Sequence, residues 1–246
     1  MNLKILGSSS KGNCYILSSP TGSLIIEVGL PIKSIQRGLN YNISNIVGAI
    51  GTHSHLDHMH SAKEIMKIGI DLFVTKETAD ALGLSGHRLN IIEPLKQFEI
   101  GDFIILGFPT EHDCPGSVGY LIQYRPTGEK LLFLTDSYYS KYKFSGLSYI
   151  MIECNYIKET LDANIAAGLI DERMKPRLLQ SHFSLEHVKE FLQANDLSQC
   201  REIILLHLSD SNSDAARMIK EIKELTGITP KIAAPGLEVN LDLYPY

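Results

Sequence analysis

Ten consecutive residues, GTHSHLDHMH at positions 51–60, contain four histidines and one aspartate. Each imidazole ring brings two nitrogen atoms that need partners, which makes such a cluster unfavourable as filling for an apolar core. Histidine is also an ordinary ligand for metal ions. We therefore interpret the stretch as part of a metal site, because without a cation the fold would crowd several imidazoles and a carboxylate together.

The spacing within this stretch allows two adjacent cations. On a loop, His53 and His55 can point to the same side and hold one ion, while Asp57 and His58 reach a second. Nitrogen and carboxylate ligands without sulfur suit Zn²⁺, with Mn²⁺ or Fe²⁺ as alternatives. We therefore expect divalent metal ions as cofactors, with zinc as the first candidate.

The composition predicts a globular protein. The chain has 246 residues, 44% of them hydrophobic and 21% charged, and this length fits a single domain over residues 1–246. The start of the chain lacks the apolar run of a signal peptide, and no stretch is long and apolar enough for a membrane span. We therefore expect a cytoplasmic protein without a membrane partner.

The four cysteines form no CxxC pair, which argues against a thiolate zinc site.

Short apolar runs rich in β-branched residues alternate with turn residues, as in the strands of a sheet. The predicted strands cover residues 3–7, 14–18, 23–28, 46–51, 71–75, 89–92, 103–108, 117–124, 131–135, 148–153 and 202–209. Helical spacing of apolar residues predicts helices over 31–40, 59–68, 156–168, 184–194 and 213–226. Because the order is mixed, we predict an α/β (α+β) fold with two mixed β-sheets flanked by helices, and the histidine stretch on a loop after a strand.

Further metal ligands must come from other segments, and three later residues qualify because each is placed where a predicted strand ends. They are His112 in PTEHDCPG, Asp136 in LLFLTDSYY and His207 in IILLHLSDSN. Strand ends are where a rigid sheet presents functional side chains to loops. The alternatives are an ordinary core or surface role for each histidine and a turn-capping role for Asp136.

The HxHxDH motif after a strand, followed by a lone histidine, an aspartate in LTDS and a final histidine after an apolar strand, resembles the metallo-β-lactamase superfamily. The order and spacing match over nearly the whole chain. Within that superfamily, the segments GSSSKGNCY, EHDCPGSVGY, IECNY and KPRLLQSHFS are similar to the YycJ/WalJ branch.

The resemblance implies an αββα sandwich with the site at one edge, between the sheets. It implies that one metal ion is held by His53, His55 and His112, the other by Asp57, His58 and His207, and that Asp136 bridges them. It further implies exonuclease-type hydrolysis of DNA, with Asp57 among the catalytic residues.

Two carboxylates are expected behind the ligands, Glu27 in LIIEVG and Glu153 in IECNY. The superfamily usually has an aspartate at the first position, and the extra methylene of Glu27 alters how far its carboxylate reaches. Buried carboxylates often hold ligand histidines in place, and we assign both residues this role. A purely structural role is the alternative for Glu27.

His182 in SHFS precedes a predicted helix that Ser184 can cap, which leaves the histidine just outside that helix. The resemblance implies that it binds the scissile phosphate or acts as a general acid; a structural role is the alternative.

The net charge of −5 argues against wholesale electrostatic capture of nucleic acid, but local patches remain. Arg173, Lys175 and Arg177 are candidates for holding a nucleic-acid backbone, and Tyr138 for stacking on exposed bases. The alternative is a solvated polar face.

These residues predict a dinuclear metal-dependent phosphodiester hydrolase, and the resemblance implies that it is an exonuclease-type nuclease with DNA as its substrate. A hydroxide between the two metal ions would be the nucleophile, and His182 would bind phosphate or protonate the leaving oxygen. One alternative is a small-molecule phosphodiesterase acting on cyclic nucleotides or similar compounds, and another is a metal-free binding scaffold. Because the chain has no room for a large inserted cap domain, a grip on a polymer must come from short loops or from a second subunit in a homodimer.

Overall fold

The structure is a computed structural model that describes residues 1–242. The chain forms two compact units, the first with residues 1–109, 114–128 and the segment beginning at Ala233, the second with residues 110–113 and 129–232. Among residues 1–242 there is no helix with the length and apolarity that a membrane crossing requires. The expectation of a single domain over residues 1–246 stays a prediction.

The described strands, numbered in chain order, are β1 (Asn2–Gly7), β2 (Cys14–Ser19), β3 (Gly22–Ile26), β4 (Ile46–Ile50), β5 (Leu72–Thr75), β6 (Leu89–Ile92), β7 (Gln97–Ile100), β8 (Phe103–Pro109), β9 (Val118–Tyr124), β10 (Lys130–Leu134), β11 (Tyr149–Glu153), β12 (Glu202–Leu206), β13 (Lys231–Ile232) and β14 (Glu238–Asn240). The helices are α1 (Ile32–Gly38), α2 (Leu56–Met59), α3 (Ala62–Lys67), α4 (Lys76–Leu82), α5 (Lys158–Ala166), α6 (Lys175–Ser181), α7 (Leu185–Ala194) and α8 (Ala215–Thr226), with a 3₁₀ turn at Glu172–Met174.

The first unit contains a seven-stranded sheet in the order β14-β1-β2-β3-β4-β5-β6. Its pairs are antiparallel from β14 to β3 and parallel from β3 to β6. The strands β7, β8 and β9 of the same unit form an antiparallel set. Strand β4 is parallel to its neighbours, and its carboxyl end leads directly into the histidine stretch.

The second unit is built on four parallel strands in the order β13-β12-β11-β10. The runs KLLFL, YIMIE and EIILL are almost entirely buried, as expected for parallel strands covered on both faces. Parallel strands present their carboxyl ends at the same edge of a sheet. The residues that follow β10, β11 and β12 therefore meet at one edge.

The prediction of two mixed β-sheets flanked by helices is confirmed. Two local predictions were wrong. The single helix expected over 59–68 is interrupted, and its main part is α3. Asp57 and His58, expected on a loop, lie on the one-turn helix α2. The helix is interrupted at Ser61 because its backbone N–H donates to the Val28 carbonyl (2.9 Å) and its hydroxyl to the Leu30 carbonyl (2.6 Å). These hydrogen bonds to the segment between β3 and α1 take the place of the bonds that a continuous helix would make at Ser61.

Candidate metal centre

The first unit gathers the histidines of the HxHxDH motif. His53 and His55 follow β4 in the loop that ends at α2, and His58 lies on α2 itself. The ring centroid of His53 lies 4.7 Å from that of His55 and 4.2 Å from that of His58. His53 and His58 are buried, whereas the Asp57 side chain is 24% exposed. The motif therefore forms a compact group of nitrogen donors with one carboxylate open to solvent.

Glu27 lies directly behind this group. It is fully buried and follows β3 with a left-handed backbone, φ 64°. Its Oε1 accepts a hydrogen bond from the Thr52 backbone N–H (3.3 Å) and lies 3.5 Å from His58 Nδ1. The Thr52 hydroxyl in turn lies 2.8 Å from His53 Nδ1. Through these contacts Glu27 could hold the histidines of the motif in position. This role of Glu27 stays a prediction.

Asn13 is a buried residue to which the sequence analysis assigned no role, although it lies in the segment GSSSKGNCY. Its backbone N–H donates to the Asp57 carbonyl (2.8 Å), and its side-chain Nδ2 lies 3.2 Å from that carbonyl and 3.2 Å from His58 Nε2. Its own carbonyl accepts from the Gly29 N–H (2.9 Å). Asn13 therefore joins α2 to the segment between β3 and α1 by hydrogen bonds. Its role depends on contacts between residues far apart in the chain, which local sequence pattern does not show.

Gly29 is required by the close approach of α2. A Cβ atom at this position would lie 1.7 Å from the Asp57 carbonyl oxygen and 2.9 Å from the Asn13 nitrogen, both backbone atoms. No side-chain rotation relieves such an overlap, so the backbone that carries Asp57 and His58 would have to move.

We expect Gly29→Ala to lower the free energy of unfolding by about 3 kcal/mol, at the upper end for overpacking. Zinc bound per chain is expected to fall, measured by elemental analysis beside denaturant unfolding. Gly107→Ala is the matched control, because its Cβ would have a movable Ile92 methyl group as nearest neighbour, at 3.3 Å. Equal stability and equal zinc content in both variants would contradict this account of α2.

In the second unit, Asp136 and His207 occur just beyond strand ends with left-handed backbones, φ 44° and 51°. Such a conformation costs about 1 to 2 kcal/mol for a residue with a Cβ, and it persists only where the surroundings enforce it. At His207 the enforcing contact is Asn155, whose Nδ2 donates to the His207 carbonyl (2.7 Å). The Asn155 N–H donates to the Phe183 carbonyl (2.9 Å), which links the two histidine-bearing segments. Asn155 lies in the segment IECNY, and the sequence analysis gave it no role.

Four side chains of the second unit form a candidate metal-binding cluster. One potential ligand atom from each of Asp136, Glu153, His182 and His207 lies within 4.8 Å of the others. His182 Nδ1 is 2.6 Å from Glu153 Oε1 and 3.1 Å from Asp136 Oδ1. His207 Nδ1 is 3.3 Å from Asp136 Oδ1. Imidazole nitrogens and carboxylate oxygens are the donor set that Zn²⁺ and Mn²⁺ accept, so this cluster fits a divalent ion, and Asp136 and His207 are the two of its members that the sequence predicts as ligands.

The electrostatics of this cluster are dominated by two buried carboxylates. Burial raises the pKa of Glu153, which the positive charge of His182 opposes. Burial lowers the pKa of His182, but the negative charges and hydrogen bonds of Glu153 and Asp136 outweigh it and raise the pKa to about 11. Glu153 Oε2 also accepts from the backbone N–H groups of Phe183 (3.2 Å) and Ser137 (3.4 Å). The cluster thus favours positive charge, as a cation site must.

His112 lies in the 110–113 segment of the second unit. Its ring centroid is 6.5 Å from that of His182, which is itself 5.5 Å from that of His207. His112 Nε2 lies 3.2 Å from Asp113 Oδ1. The second unit therefore brings all its predicted histidines into one neighbourhood.

The residues predicted to hold a nucleic-acid backbone are each near a carboxylate. Arg173 pairs with Asp171 (2.5 Å), Lys175 with Asp162 (2.6 Å), and Arg177 lies 3.8 Å from Asp113. Such pairing reduces the positive charge available to a phosphate. Tyr138 is half-buried, and its backbone N–H donates to the Glu111 carbonyl (3.2 Å). Substrate binding by these four residues stays a prediction.

Two curated relatives match nearly the whole chain. The protein is 27% identical over 259 residues to the exodeoxyribonuclease WalJ of Streptococcus pneumoniae, covering 98% of this chain and 92% of that protein. It is 23% identical over 248 residues to the exodeoxyribonuclease YycJ of Bacillus anthracis, covering 92% and 90% respectively.

Solved structures share the fold at lower identity. The metallo-beta-lactamase fold protein YhfI from Bacillus subtilis superposes with a TM-score of 0.73 at 14% identity, over 97% of this chain and 99% of that one. The short form of human tRNase Z superposes with a TM-score of 0.66 at 13% identity, over 99% and 100%. The family model described as the beta-lactamase superfamily domain matches residues 31–208. The chain therefore belongs to the metallo-β-lactamase superfamily, and the protein is an enzyme of its metal-dependent hydrolase class.

Proposed function

We propose that the protein is a metal-dependent phosphodiesterase that degrades DNA from an end, as an exonuclease-type nuclease. The observation that carries the proposal is the cluster of Asp136, Glu153, His182 and His207 in a chain that also has the HxHxDH motif. The names of the two curated relatives support DNA as the polymer.

We propose two divalent ions as cofactors, zinc first and manganese or iron as alternatives. One ion would be held by His53, His55 and His112, the other by Asp57, His58 and His207, with Asp136 shared between them. The compact histidine group of the first unit and the buried carboxylate cluster of the second unit support this assignment. Divalent ions bound there would acidify a water molecule and neutralise phosphate oxygens.

Two protein side chains would position the attacking water and protonate the leaving oxygen. Asp57 is the motif carboxylate open to solvent, and we assign it to orient the attacking water. His182 Nδ1 is held by Glu153 and Asp136, so the nitrogen left for a phosphate is Nε2, on a ring that is 21% exposed. We assign Nε2 to bind the phosphate and to donate a proton to the departing oxygen.

A small-molecule phosphodiesterase is the second candidate. It is favoured by the net charge of −5 and by the carboxylates that neutralise Arg173, Lys175 and Arg177. A metal-free binding scaffold is disfavoured, because two buried carboxylates packed against two histidines would serve no purpose in it. A homodimer that helps to hold a polymer stays a prediction.

A substrate panel tests the proposed function. The zinc- or manganese-loaded protein is expected to degrade linear duplexes or single strands of DNA from an end. Its activity on RNA and cyclic nucleotides is expected to be at least about tenfold lower. Asp57→Ala is expected to lose the activity, because the motif then lacks its solvent-facing carboxylate. Gel and chromatographic assays of product length measure both results.

The control is Asp80→Ala, which removes a 64% exposed carboxylate from α4 of the same unit and is expected to behave as wild type. Degradation of cyclic nucleotides alone would overturn the nuclease proposal in favour of the second candidate. Full activity in Asp57→Ala would overturn the mechanism.

A further inference from the structure

A cavity of about 310 Å³ in the first unit lies between α3 and the segment that joins α4 to β6. We call it the α3 groove, and it is defined by its lining residues Lys63, Met66, Lys67, Gly83, Ser85, Gly86, His87 and Arg88. None of these residues belongs to the candidate metal centre.

The α3 groove concentrates positive charge in a chain whose net charge is −5. Within residues 1–242, no ion pair is recorded for Lys63 or Lys67, and both are exposed. Arg88 donates to Asp71 (2.8 Å) on one side of the groove. The groove therefore offers two cations that no carboxylate neutralises, in contrast to Arg173, Lys175 and Arg177.

The two lysines of the α3 groove are regularly spaced on their helix. Helix α3 begins four residues after His58 and leads toward the amino end of β5, and the other wall of the groove leads into the amino end of β6, so the groove extends away from the strand end that carries the histidine stretch. Lys63 and Lys67 are spaced i, i+4 and share one face of the helix, about 6 Å apart along its axis. One strand of B-form DNA carries a phosphate about every 3.4 Å along its axis, so this spacing is close to two phosphate steps.

The opposite wall of the groove leaves room for a ligand. A Cβ atom added at Gly83 or Gly86 would meet no heavy atom within 4 Å, so the space beside these glycines is open. Met66 and the aliphatic stems of the two lysines supply apolar surface between the charges. A sugar–phosphate chain has this combination of apolar and anionic groups.

We propose that the α3 groove binds the phosphate backbone of a nucleic-acid strand, on a part of the surface away from the metal centre. The inference rests on the proposed function and names the surface that holds the polymer.

The test compares strand binding by the metal-loaded full chain. The probe is a fluorescent single-stranded 20-mer with phosphorothioate linkages, which resist hydrolysis, and the readout is anisotropy across a salt series. Lys63→Gln/Lys67→Gln keeps the stems and removes both charges. We expect about tenfold weaker binding at low salt and a salt slope reduced by about 1.4, at about 0.7 per lost phosphate contact. Lys63→Arg/Lys67→Arg is expected to bind as wild type.

The matched control is Lys33→Gln/Arg37→Gln, which removes two exposed cations spaced i, i+4 on α1 of the same unit. Equal losses in both double variants would overturn the proposal, because net charge would then explain the effect. Competition by inorganic phosphate or a mononucleotide as strong as by the 20-mer would overturn it in favour of a small-ligand site.

A second readout separates this inference from the proposed function. Turnover of bis(p-nitrophenyl) phosphate is expected to be unchanged in Lys63→Gln/Lys67→Gln, because so small a substrate does not extend from the metal centre to the groove. A wild-type protein that neither cleaves nor binds DNA would end the proposed function. A wild-type protein that cleaves DNA while the double variant binds it equally well would end this inference alone.

Discussion

Asp136→Asn is expected to lower kcat/KM for phosphodiester hydrolysis by about 10³-fold while leaving the protein folded. Asparagine is the right replacement because it keeps the shape of the side chain and tolerates the left-handed backbone at this position, φ 44°. What changes is the charge that faces His182 Nδ1 at 3.1 Å and His207 Nδ1 at 3.3 Å. A neutral amide would not supply the negative charge that divalent ions held here would need.

The measurement is kcat/KM beside metal content per chain and the unfolding midpoint. Metal content is expected to fall in Asp136→Asn, and the midpoint is expected to stay near that of wild type. Asp210→Ala is the control, since it removes an exposed carboxylate only three residues after His207. If Asp136→Asn retained both its metal and its activity, the assignment of Asp136 as the shared ligand would be wrong.

His182→Asn is expected to lower kcat on DNA by about 10² to 10⁴-fold, the usual contribution of a general acid. The asparagine amide can take the place of Nδ1 against Glu153 Oε1, now 2.6 Å from the imidazole, so the buried carboxylate keeps a donor. Nε2, the nitrogen assigned to the leaving group, is lost. An alanine would instead leave the buried Glu153 carboxylate without this partner and would destabilise the protein.

A change of leaving group distinguishes proton donation from a structural role. Bis(p-nitrophenyl) phosphate releases a stabilised phenolate that needs no proton, so its hydrolysis is expected to fall by less than about tenfold in His182→Asn. The same large loss on both substrates would contradict the general-acid assignment. His187→Asn, which changes a histidine beside Lys158 Nζ (3.1 Å), is the control and is expected to show wild-type rates on both.

Local pattern was sufficient for most of the secondary structure. The runs around β10, β11 and β12 are apolar and short, and each is a buried strand; β10 and β11 match the predicted bounds within one residue, whereas β12 ends three residues before its predicted end. The helices α7 and α8 carry amphipathic spacing with capping residues, and Ser184 accepts from the His187 N–H as predicted from the sequence. The missed elements, such as α4, β7 and α6, are short and carry weak periodicity.

Local pattern did not reveal several contacts between residues of different elements. Met59 was expected to begin one continuous helix, but Val28 and Leu30 accept the bonds of Ser61 and interrupt it. Arg173 and Lys175 stay candidates for holding phosphate, and local pattern did not reveal that Asp171 and Asp162 lie against them. For Lys175 the pairing joins residues thirteen positions apart. No periodicity within the chain encodes such a contact.

The sequence by itself determined which residues are candidate metal ligands, their order along the chain and most of the succession of strands and helices, because these follow from side-chain chemistry and local hydrophobic period. Only the tertiary structure decided that Asn13 and Asn155 tie down the segments bearing His58 and His207, and that Asp136 and His207 take left-handed backbones. The reason is physical: strained backbones and buried polar side chains are stable only when partners far away in sequence satisfy them.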